Sequence, residues 1–226
     1  RRSLRELGEL EIFIRKLYPD IETSTEFQES SDIGGSVARI AAKHDANMIV
    51  FSTKVRQGGA MLGGRIIKTL KMEYPLLIVP IDDRVLAKSF EEFKWSVDCI
   101  VYLGEIGNTK GNVFHEKSLC SLIQWKKQVE KLKLEVVQVD FSKGTEEGNL
   151  QSSRREEYPD VDEFTTLEST NITAGLEKLR EYALEHHVSI IAMTEKKQSF
   201  FSSLLRKSTT KTVVNDVNLP VLIFNE

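Results

Sequence analysis

Tyr18-Pro19-Asp20-Ile21-Glu22 returns later in the chain as Tyr158-Pro159-Asp160-Val161-Asp162. Each copy is followed by a helical pattern, an apolar stretch, a loop with a second helical pattern and a closing apolar stretch that contains proline. A unit of this length that occurs twice indicates duplicated domains rather than a short-repeat solenoid. We therefore interpret the chain as two related domains in tandem.

The repeat divides the 226 residues into a first unit over residues 1–82, a charged connector over 83–92 and a second unit over 93–226. In the second unit, apolar strand patterns alternate with amphipathic helix patterns. The predicted strands are Lys94–Leu103, Leu134–Val139, Val161–Glu168, Val188–Thr194 and Leu219–Phe224, and the predicted helices are His115–Lys131, the segment that Asn171 caps, and Ser202–Asp216. Strands that alternate with helices pair in parallel through crossover helices, so we expect an α/β protein built on open, doubly wound parallel sheets.

The first unit matches only the later part of the second. Its predicted elements are the helices Ser3–Leu17 and Ile33–His44, with Ile33 facing inward, and the strands Ile21–Gln28, Asn47–Ser52 and Pro75–Ile81. A counterpart of Lys94–Val139, the initial β-α-β, is missing. Because a sheet without its inner strands exposes unpaired backbone edges, we expect those strands to come from residues before Arg1, from a removed segment or from another chain.

Composition narrows the class of protein. The formal net charge is −3, which predicts no broad attraction to nucleic acid. The apolar runs are too short to span a bilayer, so we expect no membrane partner. Cys99 and Cys120 stand in apolar surroundings, which predicts two buried thiols in a reducing compartment. Together these features predict a cytoplasmic protein.

Two pairs of apolar stretches carry a family resemblance. The first pair is Asn47–Thr53 followed by Tyr74–Pro80, and the second is Ser189–Thr194 followed by Asn218–Ile223. Both pairs resemble the last two strands of the universal stress protein family. The resemblance implies an adenine-nucleotide alpha-hydrolase-like sheet in each unit, with parallel strands in the order 3-2-1-4-5 and the first unit lacking its initial β-α-β. It also implies pairing through the final strands, as a pseudo-dimer of the two units or as a homodimer. Val79 and Ile223 are then expected near that interface.

Many members of this family bind ATP through a loop of the form G-x2-G-x9-G-[S/T] after the fourth strand. Glycines let the backbone approach phosphate, and amides at a helix start point toward the anion. In the second unit the three glycine positions hold Thr194, Lys197 and Lys207, and only Ser208 matches. Such members also carry an aspartate at the end of the first strand, whereas Asp98 is predicted to lie in mid-strand. We interpret this unit as a scaffold without the nucleotide cradle.

The first unit has a glycine-rich loop at the corresponding place. Gly63-Gly64 can be aligned with the end of the family pattern, although the loop is shorter than the pattern requires. A Walker-type phosphate loop is excluded because Gly64-Arg65 stands where Lys followed by Ser or Thr is needed. The interpretation stays open between an anion site and a surface loop before a helix. The candidate nucleotide- or anion-binding residues are Lys54, Arg56, Gly58, Gly59, Gly63, Gly64 and Arg65, with Ser208 in the second unit.

The remaining residues indicate no enzyme. The carboxylates form no acid–base pair, no serine or cysteine occupies a nucleophile elbow, and no Cys/His spacing predicts zinc. His44 and His186 end corresponding helices, where interaction with the helix dipole is a sufficient reason for them. We therefore assign no catalytic residue, no metal ligand, and no cofactor other than the ATP that the first unit could take.

Three hypotheses about function remain open. In the first, the chain is a stress-response regulatory or binding module with degenerate nucleotide loops, no turnover and an unknown protein partner. In the second, it is an ATP-binding stress protein, at most a slow ATPase, that uses the glycine loop of the first unit. In the third, it is a structural remnant that serves dimerisation alone.

Overall fold

The structure, a computed structural model, describes residues 2–26, 29–54, 74–81, 96–106, 116–140, 155–195 and 219–225. Helices and strands alternate over much of these ranges, and the predicted α/β class is confirmed. The helices are α1 (Arg2–Leu17), α2 (Ile33–Lys43), α3 (Glu116–Gln128) and α4 (Ile172–Glu185). The strands are β1 (Ile49–Lys54), β2 (Leu76–Ile81), β3 (Cys99–Ile106), β4 (Lys133–Asp140), β5 (Glu163–Glu168), β6 (Ile190–Glu195) and β7 (Val221–Asn225).

The strands of the described ranges form one sheet of seven, in the order β1-β2-β7-β6-β3-β4-β5. Neighbouring strands are parallel, as the alternation of strands and helices predicted, except where β2 meets β7. There the strands run antiparallel, with Leu76, Leu77 and Ile78 opposite Ile223, Leu222 and Val221. The sheet therefore consists of two parallel blocks that run in opposite directions and share one backbone hydrogen-bonding network. The smaller block is β1 and β2, and the larger block is β7, β6, β3, β4 and β5.

Helices cover both faces of the larger block. Its central strands are apolar in consecutive positions rather than alternating ones, which is the pattern of a sheet buried on both sides. The α4 helix packs on one face, together with Ala41 of α2, and α3 packs on the other. Buried residues of the α4 layer include Val101, Val137, Leu179 and Ile191, and those of the α3 layer include Ile100, Leu119, Leu134 and Leu222.

The α2 and α4 helices begin with the same kind of side-chain cap. The amide oxygen of Asn171 accepts a hydrogen bond from the Ala174 N–H at 3.0 Å, which confirms that Asn171 is an N-cap. A carboxylate oxygen of Asp32 accepts from the Gly35 N–H at 3.1 Å. Each cap satisfies one of the backbone donors that a helix start leaves without an intrahelical partner.

The same two helices also end alike. His44 and His186 are the C-cap residues, and each is followed by a residue in the left-handed region, Asp45 with φ 47° and His187 with φ 51°. One residue further on, the Ala46 N–H donates to the Ala41 carbonyl and the Val188 N–H donates to the Ala183 carbonyl, both at 2.9 Å. The chain thus leaves both helices through one turn geometry toward the following strand.

The repeated Tyr-Pro-Asp sequence forms the same turn in both places. The Ile21 N–H donates to the Tyr18 carbonyl and the Val161 N–H donates to the Tyr158 carbonyl, each at 3.1 Å. Proline fixes its own backbone φ angle at a value that suits such a turn, so the repeated Tyr-Pro-Asp sequence favours the same turn in both places.

The predicted strand over Ile21–Gln28 is wrong for its described residues, because residues 21–26 form no strand. In the second unit the corresponding strand, β5, pairs with β4, and no counterpart of β4 lies beside residues 21–26 among the described residues. This segment is held instead by α1, where Arg15 donates to the Thr23 hydroxyl at 2.8 Å and Thr25 donates to Glu11 at 2.7 Å. Gln28 lies outside the described residues.

Three smaller predictions are also corrected. Ile33 is exposed because it is the first residue of α2, at the rim of the layer rather than over the sheet. Cys120 is exposed because α3 turns Leu119, Leu122 and Ile123 toward the core, which leaves Cys120 on the outer side. Asp98 precedes β3 instead of lying within it. The predicted helix Ser202–Asp216 lies outside the described residues.

Candidate functional site

The candidate loop residues lie largely outside the described ranges. Lys54 ends β1, next to Ile81 of β2, at the carboxyl edge of the smaller block. Lys54 therefore lies at the edge where open α/β sheets bind ligands. The other predicted residues, Arg56, Gly58, Gly59, Gly63, Gly64, Arg65 and Ser208, lie outside the described residues, so their role stays a prediction.

In the larger block, the switch point lies between β3 and β6. From β3 the chain crosses through α3 to β4 on one side, while β6, the neighbour on the other side, follows α4 on the opposite face. Connections that diverge in this way leave a crevice at the carboxyl ends of the two strands. Any ligand site of the usual doubly wound kind is expected at this point.

Three buried hydroxyl groups occupy the base of this switch point. The Thr194 hydroxyl of β6 donates to Ser118 in the first turn of α3 at 2.8 Å. The Tyr102 hydroxyl of β3 lies 2.8 Å from Thr194 and is the donor of that bond, since the single Thr194 proton goes to Ser118. The three residues are only 1%, 7% and 4% exposed for Tyr102, Thr194 and Ser118. Buried hydroxyls are stable when they pair in this way.

The hydroxyl chain, as we call Tyr102, Thr194 and Ser118, bears on the predicted nucleotide loop. Thr194 is the residue that aligns with the first glycine of the family pattern. The Thr194 hydroxyl is hydrogen-bonded to Tyr102 and Ser118. Thr194 also has a side chain where the pattern has a glycine, which has none. Asp98 lies at the opposite edge of the sheet, where its N–H donates to the Ser189 hydroxyl at 3.0 Å. The Thr194 hydroxyl is thus already paired at the position where the pattern has its first glycine.

A second polar cluster lies at the amino edge of the larger block, beneath α4. Glu135 of β4 is buried, with its side chain 5% exposed. Its Oε2 accepts a hydrogen bond from the Tyr182 hydroxyl at 2.9 Å and lies 3.0 Å from Nδ1 of His186. The rings of Tyr182 and His186 stack, with centroids 3.9 Å apart and planes at 17°.

Glu163 of β5 belongs to the same cluster. It accepts a hydrogen bond from the Thr165 hydroxyl at 3.2 Å, and that hydroxyl lies 3.4 Å from the Tyr182 oxygen. One donor atom each from Glu135, Glu163 and His186 lies within 4.8 Å of the others. We call these three residues the Glu–Glu–His cluster; they combine two carboxylates with an imidazole, which is a donor set able to hold a metal ion.

Two neighbours of Glu135, the Cys99 thiol and the Tyr182 hydroxyl, have raised pKa values. Burial raises the pKa of the Cys99 thiol to about 12, and the negative charge of Glu135 adds to this effect. Burial likewise raises the pKa of Tyr182, and the hydrogen bond to Glu135 acts in the same direction. Both groups therefore stay protonated and neutral near pH 7, so neither adds negative charge beside Glu135.

Sequence reasoning missed the Glu–Glu–His cluster. Glu135 is one of the polar residues in the alternating stretch Leu134–Val139, and alternation ordinarily places such residues toward water. The interpretation of His186 as a helix-end residue is correct about its place, since it caps α4, but it did not include the side-chain contact with Glu135. The burial of Glu135 follows from the place of β4 in the sheet. This strand lies between β3 and β5, and helices cover both of its faces.

Searches by sequence find no protein-family profile and no curated protein that match the chain. The structure of a universal stress protein from Archaeoglobus fulgidus DSM 4304 is similar, with a TM-score of 0.64 and 14% identity over 100% of this chain and 76% of the other. A protein of unknown function from Pseudomonas aeruginosa PAO1 has a TM-score of 0.60 and 14% identity, over 100% of this chain and 78% of the other. A candidate universal stress protein from P. aeruginosa UCBPP-PA14 has a TM-score of 0.59 and 14% identity, over 100% of this chain and 79% of the other.

The fold is that of the universal stress proteins. In this universal stress protein fold, the hydroxyl chain and the Glu–Glu–His cluster lie at opposite edges of one sheet. The hydroxyl chain lies toward the carboxyl ends of β3 and β6, and the cluster lies toward the amino ends of β4 and β5. Over the described ranges, each helix is too short or too polar to cross a lipid bilayer.

Proposed function

We propose that this chain is a stress-response regulatory or binding module of the universal stress protein type, with degenerate nucleotide-binding loops and no catalytic turnover. The observation that supports this proposal is the hydroxyl chain at the switch point of the larger block. Tyr102, Thr194 and Ser118 satisfy one another there, in the place where a doubly wound sheet would offer polar groups to a ligand.

The chemistry of phosphate binding is the physical reason for this reading. A phosphate cradle needs backbone N–H groups at close range, which glycine permits because it has no side chain. Thr194 instead places a hydroxyl and a methyl group on the first position of the loop, and its hydroxyl already has two partners. Lys197 and Lys207 supply cationic side chains at the other two glycine positions of the sequence pattern. Without those glycines, the backbone of this segment is not expected to approach a triphosphate closely.

The proposal includes a tandem arrangement of two units with β2 and β7 as their junction. It is supported by the matching turns at Tyr18 and Tyr158 and by the matching helix ends at His44 and His186. β7 has β6 on one side and β2 on the other, so its edge is already used within the chain. This favours a pseudo-dimer of the two units over a homodimer through the same strands.

We also place the protein in a reducing compartment, the cytoplasm. Cys99 and Cys120 are both free thiols, one buried and one exposed. An exposed free thiol is expected where glutathione and thioredoxin keep cysteines reduced.

The alternative is an ATP-binding stress protein, at most a slow ATPase, that uses the glycine loop of the first unit. The observation in its favour is that this loop follows Lys54 at the carboxyl edge of β1. Gly58, Gly59, Gly63 and Gly64 would then let the backbone approach phosphate, and Arg65 would add positive charge.

Isothermal titration of the full chain with Mg-ATP tests the proposal against this alternative. The proposal expects no saturable heat and no release of phosphate on long incubation. Saturable binding that a Gly63→Val/Arg65→Ala double variant abolishes, and that a Ser208→Ala variant leaves unchanged, would establish the alternative instead. Saturable binding that Ser208→Ala abolishes would contradict the interpretation of the second unit.

A further inference from the structure

We propose that the Glu–Glu–His cluster is a binding site for a divalent transition-metal ion, with Zn²⁺ as the first ion to test. Glu135, Glu163 and His186 would each supply one ligand atom. The site lies beneath α4 at the amino edge of the sheet, away from the switch point, and so is independent of the nucleotide question.

The burial of Glu135 is the first argument. Its carboxylate sits within the apolar α4 layer with its side chain 5% exposed, and a carboxylate in such surroundings needs compensating positive charge. The groups that touch its Oε2 are the phenol of Tyr182 and the imidazole of His186. A divalent cation between Glu135, Glu163 and His186 supplies that charge directly.

The spacing of the ligand atoms is the second argument. Nδ1 of His186 and Oε2 of Glu135 are 3.0 Å apart. Two ligands at about 2.0–2.1 Å from one tetrahedral Zn²⁺ are separated by about 3.3 Å, so the observed pair needs little adjustment to share an ion. The third donor atom, from Glu163, lies within 4.8 Å of the other two, so a modest side-chain rotation brings it into the same sphere.

The neighbours of the three ligands are the third argument. In metal sites, outer hydrogen bonds fix the orientation of the ligands. Here the Tyr182 hydroxyl donates to Glu135, the Thr165 hydroxyl donates to Glu163, and the Tyr182 ring stacks on His186. Each proposed ligand is therefore positioned by a neighbouring residue before an ion binds.

The donor types select the class of ion. One imidazole nitrogen with two carboxylate oxygens suits Zn²⁺ and related transition metals, whereas Mg²⁺ and Ca²⁺ prefer oxygen ligands alone. The His186 side chain is 28% exposed and Glu163 is half-buried, so an ion can reach the cluster from solvent.

The test uses the full chain, stripped of metal with a chelator and titrated with ZnCl₂ by calorimetry. We expect one saturable site, and we expect His186→Gln and Glu163→Gln each to weaken Zn²⁺ binding by at least about tenfold. MgCl₂ in the same titration should give no saturable heat. Thermal melting of each variant without metal establishes that it folds.

His44→Gln is the matched control. His44 is also a helix C-cap histidine with a carboxylate partner, since its Nε2 lies 2.9 Å from Glu26, but this pair is on the surface. Zinc affinity should be unchanged in this variant. The proposal is overturned if the wild type shows no saturable zinc site, if folded His186→Gln and Glu163→Gln variants bind as tightly as wild type, or if His44→Gln removes the site.

Discussion

Leu77 lies directly opposite Leu222 at the junction where β2 and β7 run antiparallel. Leu222 is fully buried and Leu77 nearly so, and both belong to the α3 layer. Leu77 of β2, the last strand of the smaller block, thus packs in the same layer as Leu222 of β7, the first strand of the larger block. The core is continuous across the junction, so the two blocks should unfold as neighbours that stabilise each other.

A double-mutant cycle on Leu77 and Leu222 tests this coupling. Each leucine-to-alanine change should lower the free energy of unfolding by about 2–5 kcal/mol because it leaves a cavity. Residues in contact should be non-additive, with a coupling energy of about 0.5–3 kcal/mol. Urea denaturation followed by circular dichroism measures all four proteins.

The control cycle pairs Leu77→Ala with Leu179→Ala. Leu179 lies in the α4 layer on the other face of the sheet, so these two changes should add to within about 0.5 kcal/mol. Equal additivity in both cycles would mean that β2 and β7 do not stabilise each other.

Removal of single hydroxyls from the hydroxyl chain should have graded costs. Tyr102→Phe removes the hydrogen bond to Thr194 and should lower the free energy of unfolding by about 1 kcal/mol. Thr194→Val breaks both bonds and leaves the Tyr102 and Ser118 hydroxyls without this partner, so it should cost more, about 2–3 kcal/mol. Thr173→Val, at an exposed position of α4, serves as the control. Equal costs for Tyr102→Phe and Thr194→Val would contradict the central place of Thr194.

The two N-caps make a second comparison. Asn171→Ala and Asp32→Ala should each lower the free energy of unfolding by about 1 kcal/mol, because each leaves a helix-start N–H without its acceptor. Asn171→Ser and Asp32→Ser should recover most of the loss, since serine caps helices well. The measurement is again urea denaturation, and full stability of both alanine variants would show that the caps are dispensable.

The sequence predicted the local elements better than the contacts between them. The strands β4, β6 and β7 and the cap at Asn171 follow from apolar runs and capping chemistry that are visible within a few residues. The predicted strand at Ile21 failed because a strand needs a neighbour, and neighbours are set by the whole sheet. Glu135 and His186 are far apart in sequence and meet only because α4 crosses back over β4. The candidate loop from Arg56 to Arg65 stays a prediction.

The two cysteines should differ sharply in reactivity. Cys120 is exposed, whereas Cys99 is buried and its pKa is raised to about 12 by burial and by Glu135. Because the thiolate is the reactive form, iodoacetamide at pH 8 should alkylate Cys120 in the native protein and spare Cys99 until urea is added. Peptide mass spectrometry locates the label. Equal labelling of both thiols in the native protein would contradict the buried environment of Cys99.

The raised pKa of Cys99 also predicts a loss of stability at alkaline pH. Between the ordinary thiol pKa of 9.0 and about 12, the folded chain keeps the proton that the unfolded chain has released. The unfolded state then binds fewer protons, so the free energy of unfolding falls as pH rises through this window, and the contribution is fully present below pH 9. From pH 8 to pH 10 we expect a loss of about 1 kcal/mol beyond that of a Cys99→Ala variant, which lacks the titrating group. Urea denaturation of both proteins at the two pH values measures this difference, and parallel losses in both would show that Cys99 does not titrate in this way.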